Sequence, residues 1–308
     1  MGNSLVNANA QPNLVLTKIA QGYSQTELIG SLVLPEVTEN QNNFTVPVYG
    51  KDFFKVAQTL RAPGADPAKT STEAITTIKL GLDEYSLYDT IDRLELEDGD
   101  VNKLKVYKTK MVMQQILNGR EKAIADAVNT YANYTATTNK STLATTTQWS
   151  HADSDPYQQI MDAKASVGKM TGVVPNQLTL GAEAWASLYS NIKLGVRLTN
   201  ARVGIVTKEV IATFLGLDAI NVGSAINRTN GANSYIWGDN AVLHYTPKVA
   251  TPNKYEPAFG YSFKRAGNPR VVESTNTFGD VIQLTAYYEY AVKVLNYDVA
   301  FMFKDVTL

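Results

Sequence analysis

An α+β fold is what this sequence predicts, and three stretches predict it. Residues 101–131 form a proline-free run with apolar residues at three- and four-residue steps, the pattern of one long helix. Ile282, Leu284, Ala286, Tyr288, Tyr290, Val292 and Val294 alternate with their neighbours without a break, the pattern of one long strand. Between these two, from Trp149 onward, short helix-period and strand-period segments alternate, which is the texture of a compact α/β module.

The totals narrow the function. At 308 residues and 44% hydrophobic content the chain can bury a real core, as one large domain or two modest ones. Lysine plus arginine (28) and aspartate plus glutamate (29) nearly cancel to a formal charge of -1, so the molecule as a whole is no electrostatic glove for DNA, RNA or anionic lipid. Any nucleic-acid contact is then local and weak. The absence of cysteine excludes disulfides, thiolate–metal sites and cysteine nucleophiles. Neither a signal peptide nor a run of eighteen apolar residues is readable, so no membrane partner is expected.

Residues 1–43 carry Lys18 as their only basic residue and are rich in asparagine and glutamine, with apolar clusters at 14–16 and 28–34. This composition predicts an arm with short helices at 17–21 and before Gly30, ordered by a neighbour on which Leu14, Leu16 and Leu28 dock. From 44 to 82 the pattern is strand-like: Phe44, Val46 and Val48 alternate on the way out, Ile78, Leu80 and Leu82 on the way back, and a turn-rich tip runs from Arg61 to Pro67. A two-stranded excursion of this kind is marginally stable alone, so it should lie on something else, such as another subunit. Lys51, Phe53, Phe54, Lys55, Arg61 and Lys69 are its candidate contacts.

Charge is segregated next. Residues 83–100 hold eight acids and one arginine, whereas residues 103–122 hold six bases and one acid. Either these are two solvated faces, or they are complementary patches between subunits, with Asp89, Asp92 and Glu95 facing Lys103, Lys105 and Lys108. Within the helix, Met113, Ile116, Leu117, Ile124, Ala127, Val128 and Tyr131 share one face, and Asn118, Arg120, Glu121, Asp126 and Asn129 are assigned to the other. A helix this long is roughly 45 Å from end to end and must span a flat or elongated body. Gly119 costs about 1 kcal/mol relative to alanine and marks the candidate bend.

A threonine-rich linker, 134–147, leads into the module. Ser154 or Asp155 can cap a helix whose first residue is Pro156 and which Gly172 ends. A strand at 177–180, a helix at 182–190, a capped helix at 207–215 ended by Gly216, and a strand at 219–222 follow. Strands at 234–237 and 241–245 then flank a Gly238-Asp239-Asn240 turn. Trp149, Trp185 and Trp237 are expected to anchor the core of this module. The last fifty residues read almost entirely as strand. At Leu295 the parity flips, so that Leu295, Tyr297, Val299, Phe301 and Phe303 become the apolar set, which calls for a bulge or sharp bend near Val294. No repeat of 20 to 50 residues is visible, which excludes solenoids and propellers.

Chemistry is scarce. The two histidines, His151 and His244, lack HxxEH or HxH spacing and read as structural. Gly168-Lys169 fails as a phosphate loop, because Ala163 stands where the first glycine is needed and Met170 where the hydroxyl is needed. The acids of 83–100 lack the order of a calcium loop; Asp89, Asp92 and Glu95 would be the carboxylates of a hydrolase. No catalytic, cofactor-binding or metal-binding residue is assigned, and a non-enzyme without cofactors is expected.

The order of elements, a polar arm, a long hairpin, a strand, one long helix, an inserted α/β module and long return strands, resembles the major capsid proteins of tailed double-stranded-DNA bacteriophages, the Hong Kong 97-like fold. Local wording agrees: Asn3-Ser-Leu-Val-Asn-Ala, Gly22-Tyr23 followed by Leu34-Pro35, Asp155-Pro156, Pro175-Asn176 before Leu178-Thr-Leu180, and Phe301-Met-Phe303-Lys304-Asp305. The resemblance covers essentially the whole chain and rests on order and spacing. It implies an N-terminal arm (1–43), an extended loop or E-loop (44–82), a P domain (83–148) with its spine helix, an inserted A domain (149–254) and C-terminal return strands of the P domain (255–308).

The resemblance further implies a shell protein whose hexamers and pentamers close into an icosahedral head in the host bacterial cytoplasm, with packaged DNA held weakly and without sequence specificity. Near-neutral charge suits that role, since a strongly basic inner wall would hold the genome too tightly to release it. Portal and decoration proteins are implied partners. So is a separate scaffolding protein, because the chain passes from Met1 almost directly into the arm. Lys51, Lys55 or Lys69 with Asn296 are candidates for the isopeptide bond of some relatives, although nothing in the sequence marks such a pair. The competing readings are a cellular nanocompartment shell of the same fold, a surface adhesin suggested by asparagine and threonine richness, and a hydrolase using the acidic run.

Overall fold

The computed structural model describes residues 11–49, 60–61, 63–64, 66, 75–92, 95, 100–135, 137–201, 205–229, 231–248, 252–276 and 280–307. The chain is α+β, as the sequence predicts. One sheet contains β1 (Gln11–Pro12), β2 (Glu36–Glu39), β5 (Asp83–Asp92), β12 (Gly260–Arg265), β13 (Arg270–Thr275) and β14 (Val281–Val294). A second, ordered β6-β15-β11-β7-β8, contains β6 (Lys140–Thr142), β7 (Gln177–Gly181), β8 (Ala219–Gly223), β11 (Ala241–His244) and β15 (Ala300–Lys304). Two hairpins stand outside them: β3 (Asn43–Tyr49) with β4 (Ile75–Gly81), and β9 (Ile226–Thr229) with β10 (Ala232–Tyr235).

The centre of the first sheet is β14. Along one side it pairs with β5 from Val281↔Asp92 to Tyr290↔Asp83; along the other it pairs first with β13 and then with β12. Both edges of its backbone are therefore paired along most of their length. Leu284, Ala286, Tyr288, Tyr290 and Val294 are buried, as the alternation predicts. The first four pack with Val112, Met113 and Ile116 of the long helix and with Leu16 and Ala20 of the arm, and Val294 packs with Ile124, Val128 and Phe259.

The arm is more ordered than its composition suggests. Asn13 caps α1 (Leu14–Gln21) by accepting the Leu16 N–H at 3.0 Å, three residues before the expected start. A second short helix, α2 (Gly30–Val33), begins at Gly30 rather than ending before it. Leu16, Ile29, Val33 and Leu34 are buried in their own chain, so residues 11–43 need no neighbour to acquire a core. Likewise the root of the β3–β4 hairpin lies on its own chain, with the rings of Phe44 and Phe263 4.8 Å apart.

Helix α3 (Val101–Asn129) is the long helix, capped by the Asp100 carboxylate, which accepts the N–H groups of Asn102 and Lys103 at 3.1 and 3.4 Å. It is one continuous α-helix through Gly119. Its polar face needs correction: Arg120 and Glu121 are only 8% and 3% exposed. Both lie on the apolar period, four residues after Ile116 and Leu117.

Around the second sheet the capping signals hold. Asp155 caps α4 (Pro156–Thr171) and Gly172 ends it at φ +74°. Helix α5 (Ala182–Ser190) follows β7 as expected, and α7 (Lys208–Phe214) runs from a Thr207 cap to Gly216 at φ +61°. Between them lies α6 (Ile192–Asn200), which the sequence reading lacked; Asn191 caps it, and it buries Leu194 and Leu198. Three other placements also differ. The linker 134–147 contributes β6, parallel to β15. The strand expected at 234–237 is β10, paired with a partner, β9, whose exposed and polar residues carry no strand pattern. Trp237 leaves the core of the module for a cluster with Ile29, Val33, Leu34, Ile124, Val128 and Phe259.

The parity flip after Val294 is a bulge, as the sequence predicts, and it leads into a change of sheet. The N–H groups of Leu295 and Asn296 both donate to the Phe259 carbonyl, at 2.9 and 3.1 Å, and a 3-10 turn at Tyr297–Val299 then delivers the chain to β15. There β15 pairs with β11. Residues 255–308 consequently do not return to one body: their last strand lies between β6 and β11 in the sheet of the α/β module, and Phe303 and Val306 lie in its core.

Glycine matters most at Gly181, where an added Cβ would lie 1.8 Å from the Gly238 carbonyl oxygen, whereas at Gly119 it would meet nothing within 4 Å. Gly181→Ala should therefore destabilise by about 1–3 kcal/mol through overpacking. Gly119→Ala should stabilise by about 1 kcal/mol through helix propensity. Denaturant melts of the two variants should move in opposite directions.

Candidate functional site

The Arg120–Glu121 turn of α3 is where separate parts of the chain converge. The Arg120 guanidinium meets Glu36 at 2.7 Å and donates to the Ser262 hydroxyl at 2.7 Å, which in turn donates to the Leu34 carbonyl at 3.2 Å. Glu36 also pairs with Lys264 and accepts the Tyr288 hydroxyl at 3.2 Å. Burial pushes the Glu36 carboxyl upward, but Arg120, Lys264 and Tyr288 together outweigh it and hold the group below its ordinary range. Arm, helix and both strands β12 and β14 are thus tied through one ion cluster.

Glu121 points to a different set of donors. Its Oε1 accepts the Ile29 N–H at 2.9 Å, the Gly30 N–H at 3.0 Å and the Trp237 indole N–H at 2.7 Å, and its Oε2 accepts Gly30 at 2.9 Å. Here burial wins over these donors and over nearby Arg120, and the carboxyl is raised above its usual value. The carboxylate therefore caps α2 from a distance of some ninety residues, and α2 has no side-chain cap of its own. Sequence reasoning missed Glu36, Arg120, Glu121 and Trp237 as a group. The signal available was position: two charged residues on the apolar period of a long helix.

The candidate contact residues divide. Leu14 is exposed (76%) and Leu28 half-buried, whereas Leu16, expected as a docking point, is buried at 3%. Arg61 is exposed; Lys51, Phe53, Phe54, Lys55 and Lys69 lie outside the described residues. Asn296 caps the 3-10 turn that follows it by accepting the Asp298 N–H at 2.9 Å. The two opposite charge runs meet inside the chain. Lys108 reaches Glu95 at 3.0 Å, Asp89 at 3.9 Å and the Thr90 carbonyl at 2.6 Å, while Lys105 pairs with Glu273 at 2.6 Å and Lys103 with Asp100 at 3.4 Å. For Lys105 and Lys108, which are largely buried, the complementary partner is thus the same chain. Asp92 is exposed at the end of β5, and Gly119 is exposed on α3.

The two histidines sit in different settings. His244 is fully buried beside the Thr179 and Thr246 hydroxyls, at 2.9 and 3.2 Å, and burial pushes its imidazole down to about 3, so it is neutral. His151 accepts the Asp153 N–H at 3.2 Å in a loop. Among the described residues no cluster of three histidine, cysteine, aspartate or glutamate side chains could hold a metal ion, and no helix is long and apolar enough to cross a membrane.

No protein-family model matches the chain. Individual relatives do. The major capsid protein of Burkholderia phage BcepMu is 32% identical over 263 residues, 83% of this chain and 84% of that protein. The chain belongs to the phage major capsid protein family. The major capsid protein of Pseudomonas phage JBD67 is 29% identical over 245 residues, 76% of this chain and 77% of that one. Among solved structures, a phage-related protein of Bordetella bronchiseptica superposes with a TM-score of 0.81 at 23% identity, over 96% of this chain and 98% of that one. A virus-like particle from Pyrococcus furiosus gives 0.53 at 13% identity, over 94% and 96%. The fold is the Hong Kong 97-like capsid fold, and the chain is a structural component of a phage capsid.

Removing Arg120 should expose how much of this architecture rests on its ion cluster. Arg120→Met leaves Glu36 half-buried and short of its main partner, and should cost about 3 kcal/mol at neutral pH. Because the folded-state value of Glu36 is depressed, its contribution is present above the ordinary glutamate range and lost as pH falls through the folded value. Denaturation across a pH series should therefore show the gap between parent and Arg120→Met narrowing in acid.

Proposed function

We propose that copies of this chain assemble into hexamers and pentamers that close into the icosahedral head of a tailed phage and enclose double-stranded DNA. The observation that carries this reading is the 32% identity to a phage major capsid protein along 83% of the chain. The long helix with the six-stranded sheet acts as the P domain, the five-stranded sheet with α4 to α7 as the A domain, and the β3–β4 hairpin as the E-loop. Exposed Leu14 and Arg61 are contacts to neighbouring copies, together with the hairpin residues Lys51, Phe53, Phe54, Lys55 and Lys69. The DNA is held weakly, as a net charge of -1 suits.

Assembly takes place in the host bacterial cytoplasm, with the scaffolding, portal and decoration proteins that such a head uses. Gly119 is where the spine helix bends as the shell expands. A straight helix through Gly119 in both immature and mature particles would overturn that assignment.

The second reading is the shell of a cellular nanocompartment, which the likeness to the virus-like particle of Pyrococcus furiosus favours. Electron microscopy of particles purified from producing cells, with nuclease treatment and extraction, separates the two. Large shells with nuclease-protected DNA are expected. Small shells filled with protein would sink the phage-head reading.

A further inference from the structure

The two groups that Glu121 holds belong to distant parts of the fold. Ile29 and Gly30 start α2 in the arm, whereas Trp237 sits in the connection between the exposed β9–β10 hairpin and β11. Both reach the same oxygen, Oε1, and at 2.9, 3.0 and 2.7 Å that atom takes three N–H donors. An oxygen with two lone pairs cannot serve three donors independently. A shift that improves its geometry toward one segment changes its geometry toward the other.

Little else can absorb such a shift. A Cβ at Gly30 would lie 2.6 Å from Glu121 Oε2 and 2.7 Å from Ile124 Cδ1, so the arm backbone sits directly on the carboxylate. On the other side, a Cβ at Gly223 would lie 2.1 Å from the Trp237 ring, so the indole is pressed against β8. Asn129, two turns further along α3, donates to the Trp237 carbonyl at 3.1 Å and fixes the backbone of the same residue. Beyond Trp237, the Ile236 N–H donates to the Ala225 carbonyl at 2.9 Å and closes the root of the β9–β10 hairpin. That hairpin is exposed along nearly its whole length and pairs with neither sheet.

We infer that Glu121 is a positioning residue that couples the arm to the β9–β10 hairpin, so that displacing either segment loosens the other through the shared carboxylate. The coupling is reciprocal, as any linkage between two sites through one element must be. Whatever touches the hairpin is felt at the arm, and whatever pulls on the arm is felt at the hairpin. This holds for the single chain, whatever particle it builds.

The test is hydrogen exchange, read by mass spectrometry, on the unassembled 308-residue chain. Trp237→Phe keeps the ring on Gly223 and removes the indole donor; it should speed exchange in residues 28–36 about fivefold or more, a size typical of coupled sites. Gly30→Ala, made at the other end, should speed exchange in residues 223–240 to a similar degree. Glu121→Gln, which keeps one acceptor oxygen and therefore the fold, should loosen both segments together. Leu14→Ala, on the exposed side of α1, serves as a control and should leave residues 223–240 unchanged. Exchange that rises only in the mutated segment, or equally across the whole chain, would overturn the coupling.

Discussion

The structure depends on one turn of helix that carries two charges into the interior. Arg120 and Glu121 are adjacent in sequence and nearly antiparallel in purpose: the guanidinium gathers Glu36, Ser262 and, through Glu36, Lys264 and Tyr288, while the carboxylate gathers Ile29, Gly30 and Trp237. A buried charge is tolerable only when it is paired and hydrogen-bonded, so these partners are required where they are. The arm, the six-stranded sheet and the α/β module consequently meet at a single place. Apolar packing surrounds that point on both sides, in the cluster of Val112, Met113 and Ile116 with β14 and in the cluster of Ile124 and Val128 with Phe259 and Met302.

A shell protein must be stable as a chain and adhesive as a copy, and the distribution of charge separates those demands. Lys105 and Lys108 are spent inside the chain, against Glu273, Glu95 and Asp89, and this ties the start of the long helix to β5 and β13. What stays exposed is different in kind: Leu14 and Val15 on the arm, Tyr85 and Tyr88 on β5, and Tyr189, Ile192 and Val196 near α6. Exposed apolar residues of this size lower their free energy by leaving water. Such surfaces suit a chain that works only in company.

Much of the architecture was legible in the residues. The Asp155–Pro156 start and Gly172 stop of α4, the Thr207 cap and Gly216 stop of α7, and the alternation along β14 are local signals, because caps and periods are set by residues a few positions apart. Where signals were local but faint, the reading failed. Gly195 interrupts the short period of α6, and β9 carries one apolar residue, Ile226, among three polar ones, so nothing in its sequence distinguishes a strand from a loop. Trp237 was assigned to the wrong core because neighbourhood in sequence was taken as neighbourhood in space.

The sequence by itself therefore determined the long helix, the long strand and the capped helices of the module, the α+β class, and the order of parts by which the family can be recognised. Tertiary structure alone decided that Arg120 and Glu121 face inward, that Leu16 is buried in its own chain, that Lys108 meets Glu95 and Asp89 while Lys105 meets Glu273, and that the chain after Val294 crosses from one sheet to the other. The reason is physical. Periodicity reports which side of an element is turned away from water, but a charged side chain can sit on that side if its partner arrives from a remote part of the chain, and no local pattern encodes that arrival.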